Sequence, residues 1–249
     1  MQRPFDAIIF DLGDTLLYFN GDLFQVLAEA YRELYQCLNK GGIVVDQSWF
    51  LSEFKIRMDE YFRTRETDFI EYTTYYVLKT LLMDIGYPGA TRELIENAVR
   101  AMYQVTEAYW LPEPDIYETL AILRSHGYRL GMLSNASDDA NVQALVDKAG
   151  IRHFFDRIVT SAEYGIRKPN PRIFQVLMEA IGVPAARTAI VGDTLGADIL
   201  GAKNVGSCSI WITRRANTPA NNAHRNTISP DYQISSLSEL VELLERISV

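Results

Sequence analysis

Four polar side chains occupy comparable places in the sequence. Three of them are the first or second residue after short apolar runs that predict strands, and the fourth lies in the loop before a proline-initiated helix: Asp11, Ser134, Asp193 and Lys168. In an open parallel sheet, ligands bind in the crevice beyond the carboxyl ends of the strands. We therefore expect these four side chains to lie together at one edge of a sheet.

Two carboxylates, a hydroxyl and an ammonium form a set that suits phosphate chemistry. Carboxylate oxygens are hard ligands of the kind that hold Mg²⁺. The metal ion and Lys168 would neutralise the charge of a phosphoryl group, and one of the carboxylates could attack its phosphorus atom. These residue types predict Mg²⁺ as the cofactor.

The elements that must position these residues alternate between strand and helix over most of the chain. After a first strand at 7–10, strands are predicted at 128–133, 158–159, 188–191, 208–212 and 232–234, and helices at 116–126, 140–149, 171–181 and 236–247, with a further helix ending at 204. Such alternation is typical of a parallel sheet with helices on both faces. We therefore predict an α/β fold with a Rossmann-like parallel-sheet core, in which residues 216–229 form a polar surface loop.

A long helical stretch interrupts this alternation after the first strand. Apolar residues recur at helical spacing over about 22–109, and the run 43–45 is the one short strand candidate there. Several tyrosines lie in this stretch, at spacings that favour packing in a core over contact with substrate: Tyr31, Tyr61, Tyr72, Tyr75 and Tyr76. We predict a core of residues 1–19 and 112–249 and an all-helical insert of residues 20–111.

The balance of charge restricts the class of partner. The chain has 249 residues with 24 Lys and Arg against 32 Asp and Glu, a formal net charge of −8. An acidic protein is a poor partner for nucleic acid or an anionic membrane. A metal ion and a few cations can still draw an anionic small molecule into one pocket. We expect a small phosphorylated substrate, no nucleic acid and no membrane, and a monomer or homodimer.

Nothing in the sequence predicts export or insertion into a membrane. Every apolar stretch is shorter than the roughly 18 residues that span a bilayer, and residues 1–6 reach an acidic residue before any long apolar run. Cys37 and Cys208 lie far apart and in no metal-ligand spacing, so two free thiols are expected. The predicted location is cytoplasmic.

Four segments of the chain resemble the four motifs of the haloacid dehalogenase (HAD) superfamily. They come in the family's order and, with their strands, span residues 7–198: Phe10–Leu16, Leu133–Asn135, Arg167–Pro171 and Gly192–Asp198. The helical insert resembles the family's C1-type cap, and the chain is identified as a member of the phosphatase-like branch. We expect the insert to act as a lid that hinges near 18–22 and 111–115.

The resemblance implies a role for each residue that matches a motif. Asp11 matches the nucleophile, which takes the phosphoryl group as an aspartyl-phosphate. Ser134 matches the hydroxyl that hydrogen-bonds a phosphoryl oxygen, and the main chain of Asn135 assists it. Lys168 matches the cation that offsets the charge of the nucleophile and the phosphate.

The resemblance also implies the ligands of Mg²⁺. Asp193 matches a direct ligand, alongside Asp11 and the main-chain carbonyl of Gly13. Asp198 matches a carboxylate that either surrounds the metal or orients Lys168. From the residues alone, Asp198 can also be interpreted as an acid in the first turn of a helix, where the helix dipole favours it.

The chain departs from the family's pattern at Gly13. Most phosphatases of the family carry an acid there, which protonates the leaving group and later activates water. Asp14 follows one place later, and a preceding glycine permits backbone angles that could turn Asp14 inward. Asp14 is also a common turn residue that could bond only to the local backbone. Three explanations are open. Asp14 or a residue of the insert replaces the acid, or the enzyme acts without one on substrates with good leaving groups. Alternatively, the chain catalyses another reaction, or it has lost most of its catalytic power and serves as a binding protein.

Several functions are compatible with these residues. The favoured hypothesis is a Mg²⁺-dependent phosphatase that hydrolyses a small phosphorylated metabolite, and the alternative that Gly13 leaves open is a weak or non-catalytic binding protein. A 2-haloacid dehalogenase is disfavoured, because that branch needs no metal and carries Ser and Asn where this chain has Gly192 and Asp193. A phosphomutase is disfavoured because the family's mutases depend on the acid that Gly13 replaces.

Overall fold

The computed structural model describes residues 3–248, so the outermost residues of the predicted core, 1–2 and 249, lie outside it. The strands are β1 (Ala7–Phe10), β2 (Leu17–Phe19), β3 (Trp110–Pro112), β4 (Arg129–Ser134), β5 (Arg157–Thr160), β6 (Thr188–Gly192), β7 (Cys208–Ile212) and β8 (Tyr232–Ile234). The helices are α1 (Leu23–Lys40), α2 (Gln47–Asp68), α3 (Thr74–Asp84), α4 (Arg92–Glu107), α5 (Ile116–Ser125), α6 (Asp139–Lys148), α7 (Ser161–Tyr164), α8 (Pro171–Ile181), α9 (Leu200–Val205), α10 (Pro219–His224) and α11 (Ser238–Arg246).

Six of the strands form one parallel sheet in the order β5-β4-β1-β6-β7-β8. This confirms the predicted α/β class and the parallel-sheet core. β1 lies near the centre, between β4 and β6, so the residues that follow these three strands share one edge of the sheet. Within residues 3–248, no helix is both long enough and apolar enough to cross a membrane.

The alternation of side chains along β1 explains how the sheet is covered on both faces. Ile8 and Phe10 pack on one face against α5, α6 and α11, while Ala7 and Ile9 pack on the other face against α8. All four side chains are fully buried. A strand that is buried on both faces must be apolar at every position, which is why the run 7–10 has no polar residue until it ends.

The ends of many helices are set by local side chains. Asp22, Asp46 and Thr91 each accept a hydrogen bond from a main-chain N–H of the first turn that follows them. Pro171 opens α8, and Gly182 ends it in the left-handed conformation with φ of 67°. These signals are local, so the sequence alone predicts the bounds of α8 correctly.

Helices α1–α4 lie between β2 and β3 and pack around an apolar cluster of their own, which contains the buried side chains of Tyr31 and Tyr61. The core interpretation of these two tyrosines is therefore confirmed. The run 43–45 forms no strand. Residue 111, the last of the predicted insert, falls inside β3.

The two crossings between insert and core are paired with each other. β2 and β3 form a two-stranded antiparallel ladder in which Tyr18 lies opposite Leu111. Both crossings are expected from the sequence to act as hinges. Their pairing is not predicted, because strands of three residues carry too few side chains to show a periodic pattern. The insert therefore enters and leaves the core through adjacent, hydrogen-bonded chains.

The predicted surface loop 216–229 is partly wrong. It contains α10, which Thr218 caps and Pro219 opens, and Asn221 in this helix is buried. The asparagine-rich composition suggests a solvated loop, but one of its asparagines faces inward, as described below.

Candidate active site

The residues predicted at the carboxyl edge of the sheet come together there. Asp11 directly follows β1, and its main-chain N–H donates to the carbonyl of Val191 at 2.9 Å, which continues the pairing of β1 with β6. Asp193 directly follows β6, and both aspartates are buried. The two carboxylates predicted to share an edge are therefore neighbours.

The Lys168 ammonium lies at the centre of this group. Its Nζ donates to Asp11 Oδ1 at 2.6 Å, to Asp198 Oδ1 at 2.7 Å and to the carbonyl of Leu133 at 2.8 Å. Burial alone would lower the pKa of Lys168, but the charges and hydrogen bonds of Asp11 and Asp198 raise it well above its ordinary value. Lys168 is thus held as a cation between two carboxylates.

Three buried carboxylates lie close together here, and two of them, Asp11 and Asp198, contact the ammonium of Lys168. One oxygen from each of Asp11, Asp193 and Asp198 lies within 4.8 Å of the others. Burial, followed by the charges of Asp11 and Asp198, raises the pKa of Asp193 well above its ordinary value. Burial also raises the pKa of Asp198 to about 6, against the opposing charge of Lys168. Three carboxylates and one ammonium carry a formal charge of −2, so the donor set fits a divalent cation with a preference for oxygen.

Asp198 is oriented by two donors. One of its oxygens accepts from Lys168, and the other accepts from the main-chain N–H of Thr194 at 3.0 Å. Both contacts favour the interpretation in which Asp198 orients Lys168. The alternative, that Asp198 is only an acid in the first turn of a helix, does not explain the contact with Lys168.

Gly192 is required by the approach of Asp198. A Cβ atom added at Gly192 would lie 2.2 Å from Asp198 Cγ, a distance that real Cβ atoms do not show. In the sequence, Gly192 is recognised only as part of a motif. The structure explains why a glycine is needed there, because any side chain would displace the Asp198 carboxylate that holds Lys168.

We expect Gly192→Ala to lower the free energy of unfolding by about 1–3 kcal/mol, the usual cost of overpacking a buried site. Gly89→Ala is the matched control, because a Cβ at Gly89 meets no atom within 4 Å and its φ is not positive. Chemical denaturation of both variants measures the difference. Equal stability in the two variants would show that Asp198 can move aside without cost.

Ser134 and Asn135 have different surroundings. Ser134 is buried at the end of β4, and its hydroxyl makes no hydrogen bond with any residue among 3–248. The Asn135 side chain instead holds the main chain of Lys168, since its Nδ2 donates to the Lys168 carbonyl at 3.1 Å and its Oδ1 accepts from the Lys168 N–H at 2.9 Å. Sequence analysis assigns Asn135 to the phosphate and misses this bracing contact.

The position of the missing acid faces an aromatic ring. A Cβ at Gly13 would lie 3.5 Å from Trp110 Cη2 and 3.8 Å from Trp110 Cζ3, which are ordinary contact distances. The positive φ of 56° belongs to Asp14 and not to Gly13. The left-handed backbone angle in this turn is therefore that of Asp14 itself.

Asp14 lies near the other acids without joining their cluster. Burial and then the charge of Asp11 raise the pKa of Asp14, while the guanidinium of Arg215 opposes the rise. Arg215 itself lies over the Tyr18 ring at 3.8 Å and donates to Glu113. Arg215 is not predicted from the sequence, because it is the third residue after β7 and the rule that selects Asp11 and Asp193 takes only the first residues after a strand.

Asn221 is another residue that sequence analysis misses. Its Nδ2 donates to the carbonyl of Asp193 at 2.9 Å, and its Oδ1 accepts from the N–H of Leu195 at 2.7 Å. Trp211 Nε1 donates to the same Asp193 carbonyl at 2.7 Å. The two side chains therefore fix the main chain on which the Asp193 carboxylate is mounted.

Comparison with known proteins agrees with this geometry. A family model described as haloacid dehalogenase-like hydrolase matches residues 5–206. The chain is 31% identical over 244 residues to the glyceraldehyde 3-phosphate phosphatase of Methanopyrus kandleri, covering 97% of this chain and 98% of that protein. It is 34% identical over 156 residues to the phosphoserine phosphatase of Thermus thermophilus, covering 62% and 58%.

A solved structure shares the whole architecture. The crystal structure of a HAD phosphatase from Thermococcus onnurineus superimposes with a TM-score of 0.67 at 26% sequence identity, covering 100% of each chain. The similarity therefore extends over the sheet and the helical insert together.

Proposed function

Since the chain belongs to the haloacid dehalogenase-like hydrolases and is a hydrolase of phosphate esters, we propose that it is a Mg²⁺-dependent phosphatase acting through an aspartyl-phosphate on Asp11. The observation that carries the proposal is the buried contact of Lys168 with Asp11 inside a cluster of three acids. A carboxylate beside a fixed cation can accept a dianionic phosphoryl group that it would otherwise repel.

The reaction proceeds in two displacements. An oxygen of Asp11 forms a bond to phosphorus as the bond from phosphorus to the ester oxygen breaks, and the leaving oxygen takes up a proton. Water then attacks the phosphorus and releases one proton, which balances the proton taken up by the leaving oxygen. The bond from phosphorus to Asp11 breaks, and inorganic phosphate leaves with the carboxylate restored. Asp11 Oδ1 accepts the hydrogen bond from Lys168, so we assign the attack to Oδ2.

The remaining motif residues stabilise the transferred group. We assign the Ser134 hydroxyl and the main chain of Asn135 to the phosphoryl oxygens, and Lys168 to the charge that builds up on them. A bound Mg²⁺ would be held by Asp11, Asp193 and the Gly13 carbonyl, and would supply further positive charge at the phosphoryl group. Asp198 keeps Lys168 in place.

The substrate class follows from the relatives. Those reported above are named for small phosphorylated metabolites, a triose phosphate and a phosphorylated amino acid. We propose a substrate of the same class, recognised in part by the insert. We also propose that residues 20–111 form a cap and that 1–19 and 112–249 form the catalytic core, because the insert helices have an apolar cluster of their own.

The assay that tests the proposal measures phosphate release from p-nitrophenyl phosphate with and without Mg²⁺, followed by a panel of phosphorylated metabolites. Release that depends on Mg²⁺ is the expected result. Gly13 favours one other candidate, a binding protein with little catalysis. Tight binding of a metabolite in the panel without turnover would establish that candidate.

We expect Gly13→Asp to raise the rate on an alkyl phosphate at least about tenfold, a fraction of what a general acid contributes. The added Cβ has ordinary contact distances to Trp110, so the side chain can be accommodated. Aryl phosphates should gain less, because their leaving groups need little protonation. Steady-state rates on the two substrates measure the difference.

Gly13→Ala is the control for this prediction, because it adds the Cβ without the acid. Asp14→Ala should change the alkyl phosphate rate little if the position is vacant. Loss of turnover in a folded Asp14→Ala protein would identify Asp14 as the substitute acid and contradict the idea of a vacant site.

A further inference from the structure

A segment of the insert lies directly on the core, away from the two crossings. Residues 69–74, here called the docking segment, comprise the connection between α2 and α3 and the first residue of α3. The N–H of Glu71 donates to the Gly165 carbonyl at 3.1 Å, and the N–H of Arg167 donates to the Phe69 carbonyl at 2.9 Å. These two bonds form a short antiparallel bridge between insert and core. The insert is thus attached to the core at a third place.

A buried ion pair lies at the centre of this contact. The Glu71 carboxylate accepts from the guanidinium of Arg167, and their side chains are 0% and 5% exposed. Ser161 Oγ donates to Glu71 Oε2 at 2.6 Å, and the Tyr61 hydroxyl donates to the other carboxylate oxygen. A carboxylate is stable in such a place only when several donors satisfy it, as they do here.

Two of the partners of Glu71, Arg167 and Ser161, connect it to the two loops that build the catalytic site. Arg167 is the residue before Lys168. Ser161 Oγ accepts from the N–H of Ala136 at 2.8 Å, and Ala136 follows Asn135, whose side chain holds the main chain of Lys168. Glu71 therefore contacts one loop through the ion pair and the other through Ser161.

We propose that Glu71 is a positioning residue of the insert. Through its buried contacts with Arg167 and Ser161, it fixes the loops that carry Lys168 and Asn135. The proposal rests on the proposed function for its kinetic consequence. It has a structural consequence as well: the helical insert cannot leave the core at the docking segment without breaking the buried ion pair between Glu71 and Arg167. A motion of the insert that keeps this junction closed would leave residues 69–74 fixed on the core.

The test is Glu71→Gln, which keeps the shape of the side chain and removes its charge. We expect kcat to fall at least about tenfold with KM within about twofold of the wild-type value, since Lys168 acts on the transferred group. Amide hydrogen exchange should accelerate at Glu71 and Arg167 and also at Lys168, whose N–H is bonded to Asn135. All measurements are made at a temperature where circular dichroism shows each variant folded.

Asp84→Asn is the matched control. It removes an ion pair with Arg57 inside the insert, at a carboxylate that is 62% exposed. It should leave kcat and the Lys168 amide unchanged. If Glu71→Gln does not fold, Ser161→Ala is the second variant: it removes the hydroxyl that bonds to Glu71 and to the main chain of Ala136, and it leaves the ion pair in place. We then expect a smaller loss of kcat and faster exchange at the same amides.

Two results would overturn the proposal. The first is a folded Glu71→Gln protein, or Ser161→Ala protein in its place, with wild-type kcat. The second is unchanged exchange at the Lys168 amide. The exchange measurement needs no substrate, so it decides the positioning role even if the wild-type protein hydrolyses no phosphate ester, in which case only the proposed function fails.

Discussion

Asp11→Asn is expected to lower phosphate-ester hydrolysis by at least about 10³-fold, to the background of the assay. The amide retains an oxygen that can accept the hydrogen bond from Lys168, but it cannot form the acyl-phosphate bond that the mechanism requires. The wild-type protein, quenched in acid during turnover, should carry one phosphoryl group on the peptide that contains Asp11. Mass spectrometry should find no such adduct in the variant.

The stability of Asp11→Asn is the control for this result. Removing one of three clustered carboxylates relieves repulsion, so the melting temperature should stay the same or rise. Lys168 keeps Asp198 as a charged partner, which prevents an unpaired buried cation. Near-native turnover in a folded variant, or a phosphoryl group found on another residue, would contradict the covalent role of Asp11.

Removal of Mg²⁺ is expected to have the second large effect. Protein treated with EDTA should lose activity to background and regain it on addition of Mg²⁺. Asp193→Asn should raise the Mg²⁺ concentration for half-maximal rate about tenfold or more and lower the maximal rate, because a direct ligand contributes at least as much as the groups around it. Full activity after EDTA treatment would contradict the metal assignment and would favour the 2-haloacid dehalogenase reaction, which needs no metal.

Asp198→Asn is the matched variant, because it changes an acid of the same cluster that we assign to Lys168. It should lower the maximal rate while shifting the Mg²⁺ requirement less than Asp193→Asn does. Similar shifts in both variants would show that Asp198 is a metal ligand as well.

Stability without substrate gives an independent measurement of the metal site. The pKa values of Asp193 and Asp198 lie above their ordinary value of 3.8 in the folded protein, that of Asp198 at about 6. The folded state then binds more protons than the unfolded chain, so metal-free stability should fall as pH rises from about 4 through 6. Mg²⁺ should remove much of that fall, which thermal unfolding at several pH values would detect.

The convergence of Asp11, Lys168 and Asp193 could be predicted from the sequence because parallel strands place their carboxyl ends together. Each of these residues follows a strand or lies in a loop before a helix, and those elements have local signals. The α/β fold and the helical character of the insert follow from the same periodicities. The alternation of strands and helices therefore predicts the edge of the sheet on which each residue lies.

The contacts between insert and core could not be predicted in this way. Glu71 and Arg167 are separated by 96 residues, and nothing near either one marks the other as its partner. The same holds for Asn221 and Asp193, because a buried asparagine in a polar stretch has no periodic signature. Trp110 beside Gly13 depends on the pairing of two three-residue strands, which is too short to read from sequence.

The ladder of β2 and β3 also bears on how the sheet can assemble. β1 and β4 pair in the sheet, although 118 residues separate the end of β1 at Phe10 from the start of β4 at Arg129. Of these residues, 90 lie between the end of β2 and the start of β3. Once the ladder holds its two ends side by side, the open loop shortens from 118 residues to 28. By the logarithmic dependence of closure entropy on loop length, this lowers the free energy of joining β1 to β4 by about 1.3 kcal/mol. With the ladder formed, the insert therefore adds little to the entropic cost of pairing β1 with β4. The two strands can pair as if they were joined by a crossover of ordinary length.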